Sequence, residues 1–346
     1  MEVRAEDLSA QACRPVAISV IVPAYRSAAT LPKLAERLTH TLSSLVDHHE
    51  VIFVCDGSPD ETWAVIEELA ARYPCLRGIH LQRNFGQHNA LLCGVRSARG
   101  ELIALMDDDL QDRPEELPKL IERLNDGFDV VVGVAKKGRT HSPFRLVTSW
   151  LIHFSMRLAL GGGYPSGGTS LRVFRTRLRD AFADYSSPFA NMSVLLSWAT
   201  TRWATVEVQH DARQAGSSTY SVRALVAHAI DLVTSYSVRP LRVATFVGFF
   251  FTCFGFAIFL YVLISYWAHG GLLPGFAFLA SAISILAGAQ LCSLGIVGEY
   301  IARIYLRSMG KPAYFIREAT QVSEVVGPSG RGQSSAPVDS VCEVSE

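Results

Sequence analysis

From residue 18 to residue 132 the chain alternates two apolar patterns, short continuous runs and longer stretches at helical spacing. The runs at 18–22, 51–54, 76–81, 101–106 and 130–132 are rich in Val, Ile, Leu and Phe, and each predicts a buried strand. Between them, 31–45 carries Leu31, Leu34, Leu38, Leu42 and Leu45 on one helical stripe, and 60–73, 87–98 and 115–125 continue the pattern. Asp60 stands where a helix N-cap belongs, and Gly100 and Gly127 close the last two helices. Strands and helices alternating at this spacing predict βαβ units and a mostly parallel, Rossmann-like α/β sheet.

The pattern then changes. Residues 144–160 place Phe144, Val147, Trp150, Leu151, Phe154 and Leu158 on one side, with Arg145, His153 and Arg157 between them. Such a helix either faces a core or lies on a membrane surface, and 222–238 is expected to be a second interfacial segment. Arg172, Arg175, Arg177 and Arg179 form a basic run, read either as a solvated face or as a landing site for phosphate head groups. From Val243 to Gly298 there is no Asp, Glu, Lys or Arg. The stretch breaks near Gly270, Gly271 and Pro274, so that 243–267 and 272–298 each exceed the roughly 20 residues that span a bilayer. Arg239 and Arg242 precede the first span, Arg303, Arg307 and Lys311 follow the second, and the loop between has no Lys or Arg. The positive-inside rule then places both termini and the α/β domain in the cytoplasm, on a multi-pass protein of the inner (plasma) membrane.

The expected organisation is a leader at 1–15 without a signal-type apolar core, a cytosolic domain at 16–238, a membrane hairpin within 239–300, a juxtamembrane segment at 301–320, and a disordered tail at 321–346 rich in Ser, Gly and Pro. With 32 basic and 32 acidic residues, no net charge points to nucleic acid. Hydrophobic content of 49% against 18% charged leans toward the membrane. The seven cysteines show no C-x-x-C pair and read as free thiols in a reducing compartment.

The chemistry concentrates after the fourth strand. Asp107, Asp108, Asp109 and Asp112 follow it directly, at the end of a sheet where α/β proteins bind ligands. Asp107 and Asp109 suit a hard divalent cation, and the competing reading is a solvated turn ahead of Pro114. The turn after the first strand, Pro23-Ala24-Tyr25-Arg26-Ser27, lacks the glycines that cradle a pyrophosphate. A diphosphate bound here needs another counter-charge, which a cation on Asp107 and Asp109 would supply. Such a domain tied to a membrane suits moving a group from a soluble phosphate-bearing donor to a lipid phosphate. Arg139, Arg172 or Arg213 could hold the acceptor phosphate by two hydrogen bonds.

The motifs Val22-Pro23-Ala24-Tyr25, Asp56-Gly57-Ser58-Pro59-Asp60, Arg83-Asn84-Phe85-Gly86, Asp107 to Glu116 and Gly216-Ser217-Ser218-Thr219-Tyr220, in this order, resemble family 2 glycosyltransferases of GT-A fold. The chain is most similar to the polyprenyl-phosphate glycosyltransferases, a group that includes dolichyl-phosphate mannose synthases. Gly86-Gln87-His88 and the 298–305 segment are similar to undecaprenyl-phosphate 4-deoxy-4-formamido-L-arabinose transferases and then to bactoprenol glucosyltransferases. The resemblance implies inverting transfer from a UDP-sugar, or a GDP-sugar, to undecaprenyl phosphate with Mg²⁺ or Mn²⁺, in building a cell-envelope glycan or modified lipid. It implies that Pro23, Tyr25, Asp56 and Arg83 line the nucleotide site, with Asp56 accepting from the base edge. Asp107 and Asp109 would serve diphosphate and metal, with Gln111 near the sugar. Lys136, Arg139, Arg213 and Ser217 would serve the phosphates. A homo-oligomer is compatible with it.

Some positions depart from the family pattern. Arg26-Ser27 stands for Asn-Glu, Cys55 for the first Asp of Asp-Asp-Gly-Ser, Lys136 for an Arg, Ser166 for an Asp, and Thr219 for a Lys. These changes cluster around the donor pocket and leave the sugar, and full activity, open. Rival functions fit the same fold. A processive polysaccharide synthase would carry Gln-x-x-Arg-Trp, and this chain has Arg202-Trp203 without the Gln. A membrane-bound scaffold would bind the nucleotide-sugar without catalysis.

Overall fold

The computed structural model describes residues 16–136, 168–211, 233–234, 236–269 and 275–320. The alternating region folds as β1 (Ile18–Ala24), α1 (Leu31–Leu45), β2 (His49–Cys55), α2 (Thr62–Arg72), β3 (Leu76–Leu81), α3 (Gln87–Ser97), β4 (Leu102–Leu105), α4 (Leu117–Asn125) and β5 (Val130–Ala135). A 3-10 turn at Pro114–Glu116 leads into α4, with Pro114 at its first position, where no backbone donor is lost. Then come β6 (Gly168–Arg175), α5 (Met192–Ala199), β7 (Trp203–Val208), α6 (Arg239–His269), α7 (Phe276–Ser308) and β8 (Ile316–Ala319).

The eight strands form one sheet in the order β7-β5-β6-β4-β1-β2-β3-β8. β4, β1, β2 and β3 are mutually parallel neighbours, β7 runs parallel to β5, β6 pairs antiparallel with β4 and β5, and β8 pairs antiparallel with β3. Successive strand side chains face opposite sides, and both sides are covered. Val20, Val22 and Phe53 pack with Leu34, Leu38 and Leu120 from α1 and α4. Ile21, Ile52 and Val54 pack with Leu92, Val95 and Leu195 from α3 and α5. Two-sided burial is why these strands read as continuous apolar runs.

Among the described residues the basic run is part of the architecture. Arg172 on β6 donates to Ser193 Oγ at 2.7 Å, Arg177 pairs with Asp129 at 2.8 Å, and Arg179 donates to the Ala98 carbonyl at 2.8 Å. These guanidiniums tie β6 and its following turn to neighbouring elements. Arg202 and Trp203 stand at the start of β7, where Arg202 bonds the Gly127 carbonyl and Trp203 the Thr200 carbonyl. That is the opposite end of the sheet from Asp107.

α6 and α7 contain segments long and apolar enough to cross a membrane, Arg239–Ser265 and Ile285–Ser308, with none of either apolar window buried. α7 continues past residue 300 to Ser308. The chain then returns to the sheet, where β8 lies against β3. Gly78 N donates to Thr320 Oγ1 at 2.8 Å, and His80 Nδ1 meets Glu318 at 2.9 Å. The leader, the 144–160 helix, most of 222–238, the hairpin turn at 270–274 and the tail lie outside the described residues.

Candidate active site

The parallel block β4-β1-β2-β3 ends on one rim of the sheet, and four loops meet there. They are Tyr25–Ser27 after β1, Asp56–Asp60 after β2, Arg83–Gly86 after β3 and Asp107–Asp112 after β4. Pro23 is buried within β1, opposite Val54. The Tyr25 ring beyond it is exposed (42%), as a surface for stacking requires. Arg83 is exposed, with its guanidinium 4.5 Å from the centroid of Phe85.

Asp56 is buried, with both carboxylate oxygens engaged. Phe85 N donates to Oδ1 at 2.7 Å and Gly86 N to Oδ2 at 2.8 Å. Asp56 thus holds the loop that leads into α3. Burial pushes its carboxyl up, and the two amide bonds work in the other direction. Gly57 makes the approach of the two loops possible. Its φ is +56°, and a Cβ there would stand 2.2 Å from the Arg83 carbonyl carbon.

In the acidic loop, two carboxylates serve as ties. Asp108 Oδ2 accepts from Tyr25 N at 3.3 Å and from the Ser27 hydroxyl, joining the loop to the end of β1. Ser27 is fixed in turn by its own amide, which donates to Thr62 Oγ1 at 3.0 Å. Asp112, only 2% exposed, accepts from the Ser170 hydroxyl and from Leu171 N at 3.0 Å. His210 Nδ1 lies 3.0 Å from its other oxygen. Arg113 closes the same junction with a two-pronged pair to Asp211 at 2.7 and 2.6 Å.

Asp107 and Asp109 are the remaining pair. Asp107 Oδ1 accepts from Gln87 Nε2 at 2.6 Å, and Asp109 Oδ1 accepts from Gln111 N at 3.1 Å. Burial first, and then the charges of Asp109, Asp108 and Asp112, push the Asp107 carboxyl up to about 7. A cation between Asp107 and Asp109 relieves that repulsion, so this donor set fits a hard divalent ion. Among the described residues no group of three His, Cys, Asp or Glu converges.

Two backbone positions here carry strain. Leu110 has φ 60° and Arg26 has φ 57°, both in the left-handed region that glycine or asparagine occupies more readily. Leu110 is 3% exposed, and its buried side chain pins the turn between Asp109 and Gln111. Arg26 is held by its amide, which donates to Ser58 Oγ at 2.8 Å. Strain of this kind persists where the surroundings over-determine it.

The structure therefore brings together Pro23, Tyr25, Asp56, Arg83, Asp107, Asp109 and Gln111. Lys136 is exposed at the end of β5, toward the neighbouring part of the same rim, and its amide donates to Val208 O at 3.2 Å. Arg139, Arg213 and Ser217 lie outside the described residues. The sequence pattern does not single out Gln87, Ser27, Thr62, Ser170 or His210 as site residues, although Gln87 lies in Gly86-Gln87-His88 and Ser27 in the Arg26-Ser27 departure.

An open, mostly parallel α/β sheet with a carboxylate pair among the loops at the strand ends is the arrangement of a GT-A glycosyltransferase. Residues 19–184 match the glycosyl transferase family 2 model, and 239–304 match the GtrB C-terminal hairpin. The undecaprenyl-phosphate 4-deoxy-4-formamido-L-arabinose transferase of Aeromonas hydrophila is 34% identical over 308 residues, covering 87% of this chain and 93% of the relative. That of Proteus mirabilis is 33% identical over 314 residues, covering 89% and 95%. Among solved structures, glucosyl-3-phosphoglycerate synthase from Mycobacterium tuberculosis is similar with a TM-score of 0.47 and 19% identity, covering 65% of this chain and 80% of that one. The chain belongs to the family 2 glycosyltransferases.

Proposed function

We propose that this glycosyltransferase moves a sugar from a nucleotide-sugar, a UDP-sugar before a GDP-sugar, to undecaprenyl or another polyprenyl phosphate. The product is a lipid-linked monosaccharide for the cell envelope. The observation that carries the reading is the carboxylate pair Asp107 and Asp109 at the shared rim of four parallel strands. The relatives at 33–34% identity, which this chain covers almost end to end, bear the name of undecaprenyl-phosphate sugar transferases.

Asp107 and Asp109 would hold Mg²⁺ or Mn²⁺, which supplies positive charge against the donor diphosphate. Tyr25 offers its ring to the base, and Asp56 fixes the Arg83–Gly86 wall of the pocket. Gln87 orients Asp107, and Gln111 stands toward the sugar. Lys136, with Arg139, Arg213 and Ser217, holds the phosphates. The acceptor phosphate needs little activation, since a phosphate monoester with a second pKa of about 6 is largely dianionic at neutral pH. One of its oxygens attacks the anomeric carbon while the bond to the diphosphate oxygen breaks. The nucleoside diphosphate leaves, and the anomeric centre inverts.

In the same proposal α6 and α7 cross the inner membrane as a hairpin. Arg239, Arg242, Arg303, Arg307 and Lys311 mark the cytoplasmic side, where the α/β domain stands. The test offers a panel of radiolabelled nucleotide sugars with undecaprenyl phosphate and either cation, and follows label into the organic phase. One donor is expected to label the lipid. Binding of a nucleotide-sugar without lipid labelling from any donor would support the scaffold reading instead.

A further inference from the structure

Away from the acidic loop, the described residues line a half-open cavity of about 310 Å³ where α7 leaves its apolar segment. Its lining includes Trp198, Tyr236, Val238, Tyr300, Arg303 and Arg307. Its size is at the lower end for small-ligand sites, ~300–1,000 Å³. No Asp or Glu is among the lining residues, and two arginines are. Arg303 and Arg307 are four apart on α7 and therefore share a face. Arg303 Nη2 also meets Glu299 at 2.8 Å, which holds its guanidinium in place.

The walls are built from both parts of the protein. Tyr300 on α7 donates its hydroxyl to the Ser237 carbonyl, just ahead of α6. From the α/β domain, Trp198 packs edge-on to Tyr236 at 6.3 Å between ring centroids and against Tyr185 at 5.9 Å. The hydroxyls of Tyr185 and Tyr236 both donate to the Phe189 carbonyl. Trp198 remains 55% exposed and Val238 55% exposed. An aromatic wall with apolar rings and polar tips, facing two guanidiniums at the end of an apolar helix, matches the depth at which lipid head groups sit.

We infer that this cavity binds the phosphate head group of an anionic membrane phospholipid, locking the α/β domain onto its membrane hairpin. The inference rests on the membrane orientation proposed above. Basic pockets at the cytoplasmic ends of membrane helices recognise such head groups. The occupant is a resident lipid and not the reacting acceptor. Trp198 lies near the end of α5 that leads into the start of β7, whereas Asp107 and Asp109 stand beyond the carboxyl ends of the parallel strands. The Trp198 wall of the lipid site thus stands toward the end of the sheet opposite the acidic loop. A link between them exists through Asn89, whose Nδ2 donates to Pro188 O at 2.8 Å and to Phe85 O at 2.7 Å.

The test uses the full-length protein in mild detergent, with phosphatidylglycerol and phosphatidylcholine added in equal amounts and retained lipid counted by native mass spectrometry. No donor sugar is present, so the result is independent of whether transfer occurs. The protein is expected to retain phosphatidylglycerol about 10-fold over phosphatidylcholine. Arg307→Gln and the double variant Arg303→Gln/Arg307→Gln abolish that preference, with an unchanged thermal midpoint for the exposed Arg307→Gln. Lys311→Gln, at the same boundary but not lining the cavity, keeps it. Equal retention of phosphatidylglycerol by the protein and Arg307→Gln overturns the inference. So does displacement of phosphatidylglycerol by an equimolar short-chain polyprenyl phosphate, which would make the cavity an acceptor site.

Discussion

At residue scale, the acidic loop divides its labour. Asp108 and Asp112 are anchors, tied to Tyr25 and Ser27 and to Leu171 and Ser170, and Asp107 and Asp109 are left for charge. The crowding of Asp107 has a pH consequence. Its folded carboxyl sits at about 7, against an ordinary value of 3.8. Between those values the native state binds a proton that the unfolded chain releases, so the Asp107 contribution to metal-free stability rises as pH falls from 8 toward 5. Thermal midpoints measured in chelator are expected to climb over that range, and Asp107→Asn to flatten the slope. Arg26 gives a second prediction. A left-handed residue other than glycine costs about 1–2 kcal/mol, and Asn tolerates the region better. Arg26→Asn is expected to raise the urea midpoint; a lower midpoint would mean that the Arg26 side chain holds more than its backbone loses. Asp107 and Asp109 were legible as Asp-x-Asp after an apolar run. Gln87, Ser27 and His210 were not, because their bonds to the loop bridge 20, 81 and 98 positions.

At the scale of elements, the crevice depends on loops being held close. Gly57 permits the loop after β2 to touch the loop after β3, and Asp56 then fastens it to Phe85 and Gly86. Gly57→Ala is expected to force these loops apart, lowering stability by about 2 kcal/mol or more through strain at a positive φ and overpacking. Its KM for donor should rise more than its kcat falls, which steady-state kinetics reads directly. β1 to β5 and α1 to α4 were legible because both faces of the sheet are covered, so strands and helices show clean, different periods. β6 was not, since Arg172 and Arg175 made it read as a basic solvated run, yet Arg172 is an internal tie. β8 is four residues long, and every one of them is exposed. Its place is set by pairing with β3 and not by any pattern of its own.

At the scale of the molecule, the α/β domain and an apolar hairpin are joined twice, through the segment before α6 and through β8 returning to the sheet edge. The hairpin was plain from the lack of charge between Val243 and Gly298, while the return of β8 was hidden in a short segment after it. In the proposed arrangement the membrane delivers an acceptor that is already charged, and the crevice supplies the activated sugar. One measurement tests this most directly: the initial rate of lipid-linked sugar formation on undecaprenyl phosphate by the protein and by Asp109→Asn, with and without chelator. The account predicts lipid product that chelator abolishes, and a rate at least ~100-fold lower in Asp109→Asn, the usual cost of losing one key electrostatic contact. Full activity of Asp109→Asn in the presence of chelator would contradict it.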